Sequence, residues 1–318
     1  MSRAEPLKDK LITLFGGSGF LGQYLAQELL SRGARLRIAS RNPERSHKLK
    51  PLANLGQIQF FRCDINKPSQ VHAAMMGSDA VVNLVGSFGG DLMRLMGNSA
   101  GEVAKAAKEA GAGALVHISA IGANEASASS YARANALGEK LVMEEFPKAT
   151  ILRPSALFGE DDNFVNLFAG LVQMSPVLPV FGPESPLQPA FVDDLAEAIA
   201  NALREPAKHG GKTYELGGPE VITMMEFNQR IAKAQGRSRT FLPVPDPLSA
   251  AFAAIPLTPI NRDQWVMLKE GNKASGDFPG LDKLGVTPRP LGLFLDKWMD
   301  RYRKHGRFGV NGGGAEAG

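Results

Sequence analysis

Three glycines at a spacing of three, in Gly16-Gly17-Ser18-Gly19-Phe20-Leu21-Gly22, are the residues of this chain best suited to hold a phosphate. They follow a short β-branched and leucine run, Leu11–Phe15, that reads as a buried strand. They precede an amphipathic run, Tyr24–Ser31, that reads as a helix. In that setting Gly16 takes the sharp turn off the strand, Gly19 lets backbone N–H groups approach a pyrophosphate, and Gly22 lets helix and strand pack closely. The helix then aims its unpaired N–H groups and the positive end of its dipole at the anion. The chemistry implied is dinucleotide binding, with Phe20 and Leu21 beside the glycines as further contacts.

A fold of this kind commonly places an acidic residue at the end of its second strand to hold the ribose hydroxyls. Here that strand ends in Ala39-Ser40-Arg41-Asn42-Pro43, nineteen residues after Gly22, and no carboxylate is present. Arg41 instead offers a planar donor fork suited to a 2′-phosphate, and Ser40 can join it. The expected cofactor is therefore NADP(H), with NAD(H) as the second choice. The other reading of Arg41 is a solvated arginine at a strand end. Asp64-Ile65 follows the third strand, where a carboxylate can accept from the adenine amino group and an apolar residue can cover its ring. Asn83-Leu84-Val85-Gly86 ends the fourth, where a small residue lets the backbone pass the cofactor ribose. Asn83, Val85 and Gly86 thus join the candidate cofactor contacts.

These residues need a scaffold, and the rest of the chain carries its pattern. Candidate strands at Leu11–Phe15, Leu36–Ser40, Gln57–Arg62, Ala80–Val85, Ala114–Ser119 and Thr150–Arg153 alternate with helical stretches such as Tyr24–Ser31, Gln70–Met76 and Gly101–Ala110. The alternation predicts an α/β fold, a Rossmann-type doubly wound parallel sheet whose ligand lies beyond the C-terminal strand ends. This domain is expected over 8–155, with parts of 188–218 packing back on it. After Pro154 the pattern changes, and prolines and glycines cluster over Ser175–Pro189. Thr223-Met224-Met225-Glu226 reads as a capping box opening a helix over Met225–Ala234, and another helix runs from about Asp193 to Leu203. A smaller mixed C-terminal lobe over 156–307 and a disordered tail over 308–318 follow from this reading.

Composition narrows the function classes. The 318 residues, 44% hydrophobic and 21% charged, leave room for two lobes and exclude disordered and collagen-like chains. A single cysteine, Cys63, excludes an internal disulfide framework and suits a reducing compartment. Five scattered histidines show no ligand spacing, so no metal site is expected. The first residues carry no apolar signal segment, and no run of eighteen apolar residues occurs, so the expectation is a cytoplasmic protein with no spanning segment. A net charge of +4 with mostly dispersed basic residues argues against nucleic acid as partner.

Taken together, these stretches resemble the short-chain dehydrogenase/reductase superfamily. The likeness is strongest to its atypical, extended members, above all the nucleotide-binding accessory subunit of respiratory complex I and its bacterial relatives. The residues that carry it are Phe15 to Gly22, His117-Ile118-Ser119-Ala120-Ile121-Gly122-Ala123, Tyr131-Ala132-Arg133, Gly138-Glu139-Lys140, Leu152-Arg153-Pro154-Ser155 with Phe158-Gly159, and Gln188-Pro189-Ala190-Phe191-Val192-Asp193-Asp194. The resemblance covers roughly residues 10 to 270. It implies that Ser119 and Tyr131 match the serine and tyrosine that move a proton in step with hydride transfer, and that Pro154 lines the cofactor pocket. The lysine expected four residues after the tyrosine is Asn135. A free tyrosine titrates near ~10, so at neutral pH only about one in a thousand is ionised. An ammonium about 4 Å away could stabilise the phenolate by up to ~4 kcal/mol at an effective dielectric near 20. Asparagine supplies no such charge, although Asn135 could hydrogen-bond the nicotinamide ribose. Lys140 lies on the same helix but five residues on from Asn135, so it faces elsewhere.

Two readings follow from the resemblance. One is an NADPH-binding accessory protein of a membrane-bound respiratory or quinone-synthesising complex, with weak or no turnover, held peripherally at the inner face of the membrane. The other is a soluble NADPH-dependent reductase or epimerase-like enzyme for a small carbonyl or sugar-nucleotide substrate. Asn135 favours the first, as does the apolar, proline-broken segment Leu242–Pro259 beside the aromatic and basic run Lys297–Lys304.

Overall fold

The computed structural model describes residues 5–255 and 262–303. A central sheet of seven strands is built from β1 (Leu11–Phe15), β2 (Arg35–Ser40), β3 (Ile58–Arg62), β4 (Ala80–Asn83), β5 (Ala114–Ile118) and β6 (Thr150–Pro154), with a late strand from the second half of the chain. Every pairing in it is parallel, with registers such as Leu14 opposite Ile38 and Phe15 opposite Asn83. From one edge the order is late strand, β6, β5, β4, β1, β2, β3, so strand order reverses between β1 and β4. That reversal opens a crevice at the C-terminal strand ends, where doubly wound sheets bind ligands.

Alternation along each strand sends side chains to two buried faces. Leu14, Ile38, Val82 and Val116 meet α1 (Phe20–Ser31) and α6 (Val192–Arg204) through Leu25, Leu29, Leu195 and Ile199. Phe15, Ala39, Val81 and Leu115 meet α2 (Pro68–Met75), α3 (Ser99–Glu109) and α4 (Ser130–Glu145) on the other side. A π-helical turn, Met93–Asn98, leads directly into α3 and packs against α4. The approach is close because it is glycine-lined: a Cβ on Gly97 would stand 2.6 Å from Leu137, and one on Gly101 2.9 Å from Leu141.

The second half of the chain contributes α5 (Phe164–Met174), β7 (Val177–Phe181), β8 (Thr213–Leu216), β9 (Thr240–Val244), α7 (Met224–Ala234), α8 (Asp246–Ala253), α9 (Arg262–Glu270) and α10 (Gly292–Met299). β8 is the late strand, pairing with β6, and α6 packs against α1. The rest forms a smaller body whose core gathers Phe158, Phe227, Leu178, Ile231 and Leu295. Within it Phe191, Phe294 and Trp298 stack in series at 4.2 and 5.0 Å. β7 and β9 form a two-stranded parallel ribbon on its surface.

Element ends differ from the sequence expectation for local reasons. Helix α1 begins at Phe20, four residues before the expected Tyr24, because Gly19 adopts the extended conformation of a cap. Strand β4 stops at Asn83, two residues short, because the Asn83 side chain accepts from Val85 N–H at 3.2 Å and turns the chain. Thr223 caps α7 by accepting from Glu226 N–H at 3.0 Å, but the Glu226 carboxylate pairs with Arg230 at 2.6 Å and so closes only half of a capping box. The expected disordered tail over 308–318 lies outside the described residues, as do parts of Leu242–Pro259 and of the basic C-terminal run.

Candidate dinucleotide groove and the cleft beside it

The glycine loop is shaped by contacts that exclude side chains. Gly16 sits at φ +78°, and a Cβ there would lie 3.1 Å from the Leu84 backbone just past the end of β4. A Cβ on Gly22 would strike the Gly17 backbone at 2.6 Å, so the first turn of α1 rests directly on the loop. Gly19 caps that helix without any side chain, and no acidic residue occupies its first turn. The loop's own bonds, Gly19 N–H to Gly16 C=O at 2.9 Å and Gln23 Nε2 to Ser18 C=O at 3.1 Å, hold it open-ended. The N–H groups of the first helical turn therefore face the crevice unmatched by acid, which is the arrangement that binds a phosphate.

Around this loop the strand ends deliver the other expected residues to one edge. Arg41 is exposed just past β2, and Ser40 beside it is buried with its hydroxyl unpartnered among the described residues. A second arginine, Arg62, donates to the Arg41 carbonyl at 3.2 Å, which reinforces the cationic corner. Asp64 takes a structural part: its Oδ1 accepts from Asn66 N–H at 3.1 Å to form the turn after β3. Ile65 is buried in the core behind that turn. Asn83 is drawn into the sheet, its amide facing His117 Nδ1 at 3.2 Å while its oxygen takes Val85 N–H. Because the oxygen is fixed on Val85, the amide nitrogen is the donor and His117 Nδ1 the acceptor. His117 is neutral as a result, and its complete burial pushes its pKa down to about 4.

A cleft of about 590 Å³ opens beyond the loop, between the sheet and the smaller body. Phe20, Leu21, Val85, Gly86, Ser119, Tyr131, Asn135 and Pro154 all reach its wall. Three of them, the expected proton-transfer corner, are tied up in other contacts. The Ser119 hydroxyl donates to Glu139 Oε1, in a bond shared with Arg153, whose guanidinium grips the same carboxylate at 2.8 and 2.7 Å. Arg153 also faces Glu215 at 3.6 Å, and Glu215 accepts from Ser275 at 2.6 and 2.9 Å. Asn135 donates its amide to the Tyr131 backbone carbonyl at 3.0 Å, one turn back. Tyr131 lies stacked under Phe88, ring centres 4.7 Å apart, and burial pushes its phenol above the usual range against a side-chain hydrogen bond with Asn135 that lowers it. The cations on this helix go elsewhere: Arg133 donates to Ser127 C=O at 2.7 Å, and Lys140 faces Glu125 at 4.0 Å.

Sequence reasoning missed several of these parts. Glu139 and Arg153 stood inside quoted motifs, yet nothing marked them as a pair beneath Ser119. Asp263 of α9 caps α4 beside the tyrosine, accepting from Ser130 N–H at 2.5 Å and Tyr131 N–H at 3.2 Å. A helix start without an acid in its first turn hints at such a partner, but its position 132 residues away is a product of the fold alone. Phe88, 60% exposed, gave no signal. Among the described residues no cluster of three or more His, Cys, Asp or Glu gathers as a metal site, and no helix is long and apolar enough to cross a membrane.

A doubly wound sheet with a glycine-capped helix at its switch point defines a Rossmann-type dinucleotide-binding protein, and residues 16–172 match the NAD(P)H-binding family model. The chain is 32% identical over 306 residues to the mitochondrial NADH dehydrogenase (ubiquinone) 1 alpha subcomplex subunit 9 of Mus musculus, covering 92% of this chain and 80% of that one. The Arabidopsis thaliana protein of the same name is 31% identical over 314 residues, covering 92% and 78%. The chain therefore belongs to the family of this complex I accessory subunit, as an NAD(P)H-binding member of the short-chain dehydrogenase/reductase type. Among solved structures, the NADPH-dependent quinone oxidoreductase of Escherichia coli, complexed with NADPH, superposes with a TM-score of 0.73 at 21% identity, covering 90% of this chain and 99% of that one.

Proposed function

We propose that this protein holds NADPH as a resident cofactor of a membrane-bound respiratory or quinone-synthesising complex, with slow or absent turnover. The observation that carries the reading is a contrast within one groove. The phosphate loop is intact, while the Ser119 proton is bound to Glu139, Asn135 stands where a lysine would lower the Tyr131 pKa, and no cation replaces it on that helix. Gly16 to Gly22 would hold the pyrophosphate, and Arg41 with Ser40 would hold the 2′-phosphate. Val85, Gly86, Tyr131, Asn135 and Pro154 would flank the nicotinamide half. Bound NADPH would supply a hydride; the residues around it bind and orient the nicotinamide but hold their own protons tightly. Partnership with a respiratory complex is supported by the family, whose members include subunits of mitochondrial NADH dehydrogenase. Peripheral attachment at the inner face of the membrane is supported by exposed apolar side chains on the smaller body, including Leu242 and Leu248.

A reductase reading retains one specific support, the 590 Å³ cleft with the Tyr131 ring in its wall. Purification from native membranes, with the bound nucleotide and partner subunits identified, tests the proposal. NADPH and respiratory-complex subunits are expected together; a free monomer carrying no nucleotide would contradict it.

A further inference from the structure

Resting on the NADPH reading of the neighbouring groove, we propose that the cleft takes an uncharged, water-insoluble ligand, apolar over most of its length with one polar oxygen, and receives it from a lipid bilayer. Its wall is made by Leu157, Phe164, Phe168, Leu187, Met224 and Leu268, with Met96 and Met267 as adaptable surfaces. No lysine or arginine lines it among the described residues. Its one charged lining residue, Glu270, is exposed and already faces the Ser127 hydroxyl at 3.2 Å. A nucleoside diphosphate entering here would lose water from two phosphates and meet no cation in return, so a sugar-nucleotide substrate does not fit the chemistry of the wall. The other polar lining residues are few and uncharged, Ser119, Tyr131 and Asn135 on one side with Ser155, Gln264 and Asn272 among the rest. A mostly apolar wall with a few neutral polar groups suits a molecule that carries a carbonyl or hydroxyl oxygen on an apolar body.

The mouth indicates the source. Leu167 of α5 lines the cleft and is also 52% exposed. Leu171 and Met174 follow it on the same helix face, both exposed, and Val177 continues the stripe onto β7. Leu242, exposed on β9, pairs across the ribbon with Pro179. At the end of α5 stands Arg239, its guanidinium fixed on the Val172 carbonyl at 2.7 Å. An apolar stripe with a cation at its edge is complementary to the surface of an anionic bilayer. Because the stripe is continuous with the cleft wall at Leu167, a lipid-soluble molecule would pass from the bilayer to the cleft along apolar side chains.

The test uses the full chain loaded with NADPH and the uncharged fluorophore N-phenyl-1-naphthylamine. Saturable binding at about one probe per chain is expected, with no displacement by millimolar UDP-glucose. Met267→Trp should weaken the probe about tenfold or more by filling the cleft, while NADPH affinity stays unchanged. Leu167→Asp, at an exposed site that tolerates the change, should slow probe transfer from phosphatidylcholine–phosphatidylglycerol vesicles about tenfold with little change in final affinity. Unsaturable probe binding, or displacement by UDP-glucose, would overturn the ligand class. Equal transfer rates for Leu167→Asp and the unaltered protein would overturn the bilayer route. A chain that binds the probe but not NADPH would overturn the nucleotide reading while supporting the assignment of the cleft.

Discussion

The two ends of the groove are built on opposite principles. At the phosphate end, between Gly16 and Gly22, the protein withholds side chains and leaves backbone N–H groups facing the crevice. At the end proposed for the nicotinamide, side chains are abundant but engaged with one another: Ser119 on Glu139, Asn135 on the Tyr131 carbonyl and side chain, Tyr131 under Phe88. On the proposed reading, the difference teaches that binding and proton transfer are separable in this fold. The first would depend on backbone shape; the second would depend on a cation at the place of Asn135.

That separation can be broken most severely at the loop. Gly19→Val places a branched side chain where phosphate must lie, although its Cβ alone would meet only the Gly16 carbonyl at 3.2 Å. The variant should fold, with a melting temperature close to the parent, and lose NADPH binding by more than about a hundredfold in a fluorescence titration. Full affinity would show that the pyrophosphate lies elsewhere.

The next effect sharpens the other end. Asn135→Lys puts an ammonium one turn from Tyr131 and should lower its phenol pKa by up to about three units, read by NMR of labelled tyrosine. A phenol that does not move would mean that burial, and not the missing cation, sets the tyrosine's state.

His117, which supports Asn83 between the two ends, gives a pH dependence. Its folded pKa of about 4 lies below the ordinary 6.5 because burial disfavours the charged ring. The unfolded chain therefore binds the extra proton first, and stability falls as pH drops from about 6.5 towards 4. The loss approaches about 1.4 kcal/mol per pH unit across that window. Urea unfolding at several pH values should show this slope, and His117→Gln should flatten it.

The smallest effect concerns nucleotide choice. Arg41→Ala removes one charge-assisted contact worth ~1.5–3 kcal/mol, so NADPH should bind roughly ten- to hundredfold more weakly while NADH hardly changes. Equal affinity of the unaltered protein for both nucleotides would remove Arg41 from the site.

How much of this was legible before the fold depends on the range of each interaction. The strands, the glycine loop and the α7 cap rest on periodicity and on contacts within a few residues, so Leu11–Phe15 and Thr223–Glu226 could be read directly. The substitution at Asn135 was equally plain. What joins distant segments was not: Glu139 meeting Arg153 and Glu215, Asp263 capping α4 beside Tyr131, or α5 turning Leu167 towards the cleft. Asp64 and Asn83 add a use that their types alone did not show: beside any cofactor contact, their side chains bond the turns that follow β3 and β4.

The central claim, a bound nucleotide without a working proton donor, is tested most directly by mixing the NADPH-loaded protein with a panel of simple carbonyls and quinones and following the nicotinamide absorbance. The account predicts that the protein retains its nucleotide in the reduced form, with turnover well below ~1 s⁻¹. Sustained oxidation of NADPH at ordinary enzyme rates, ~1–10³ s⁻¹, would contradict it.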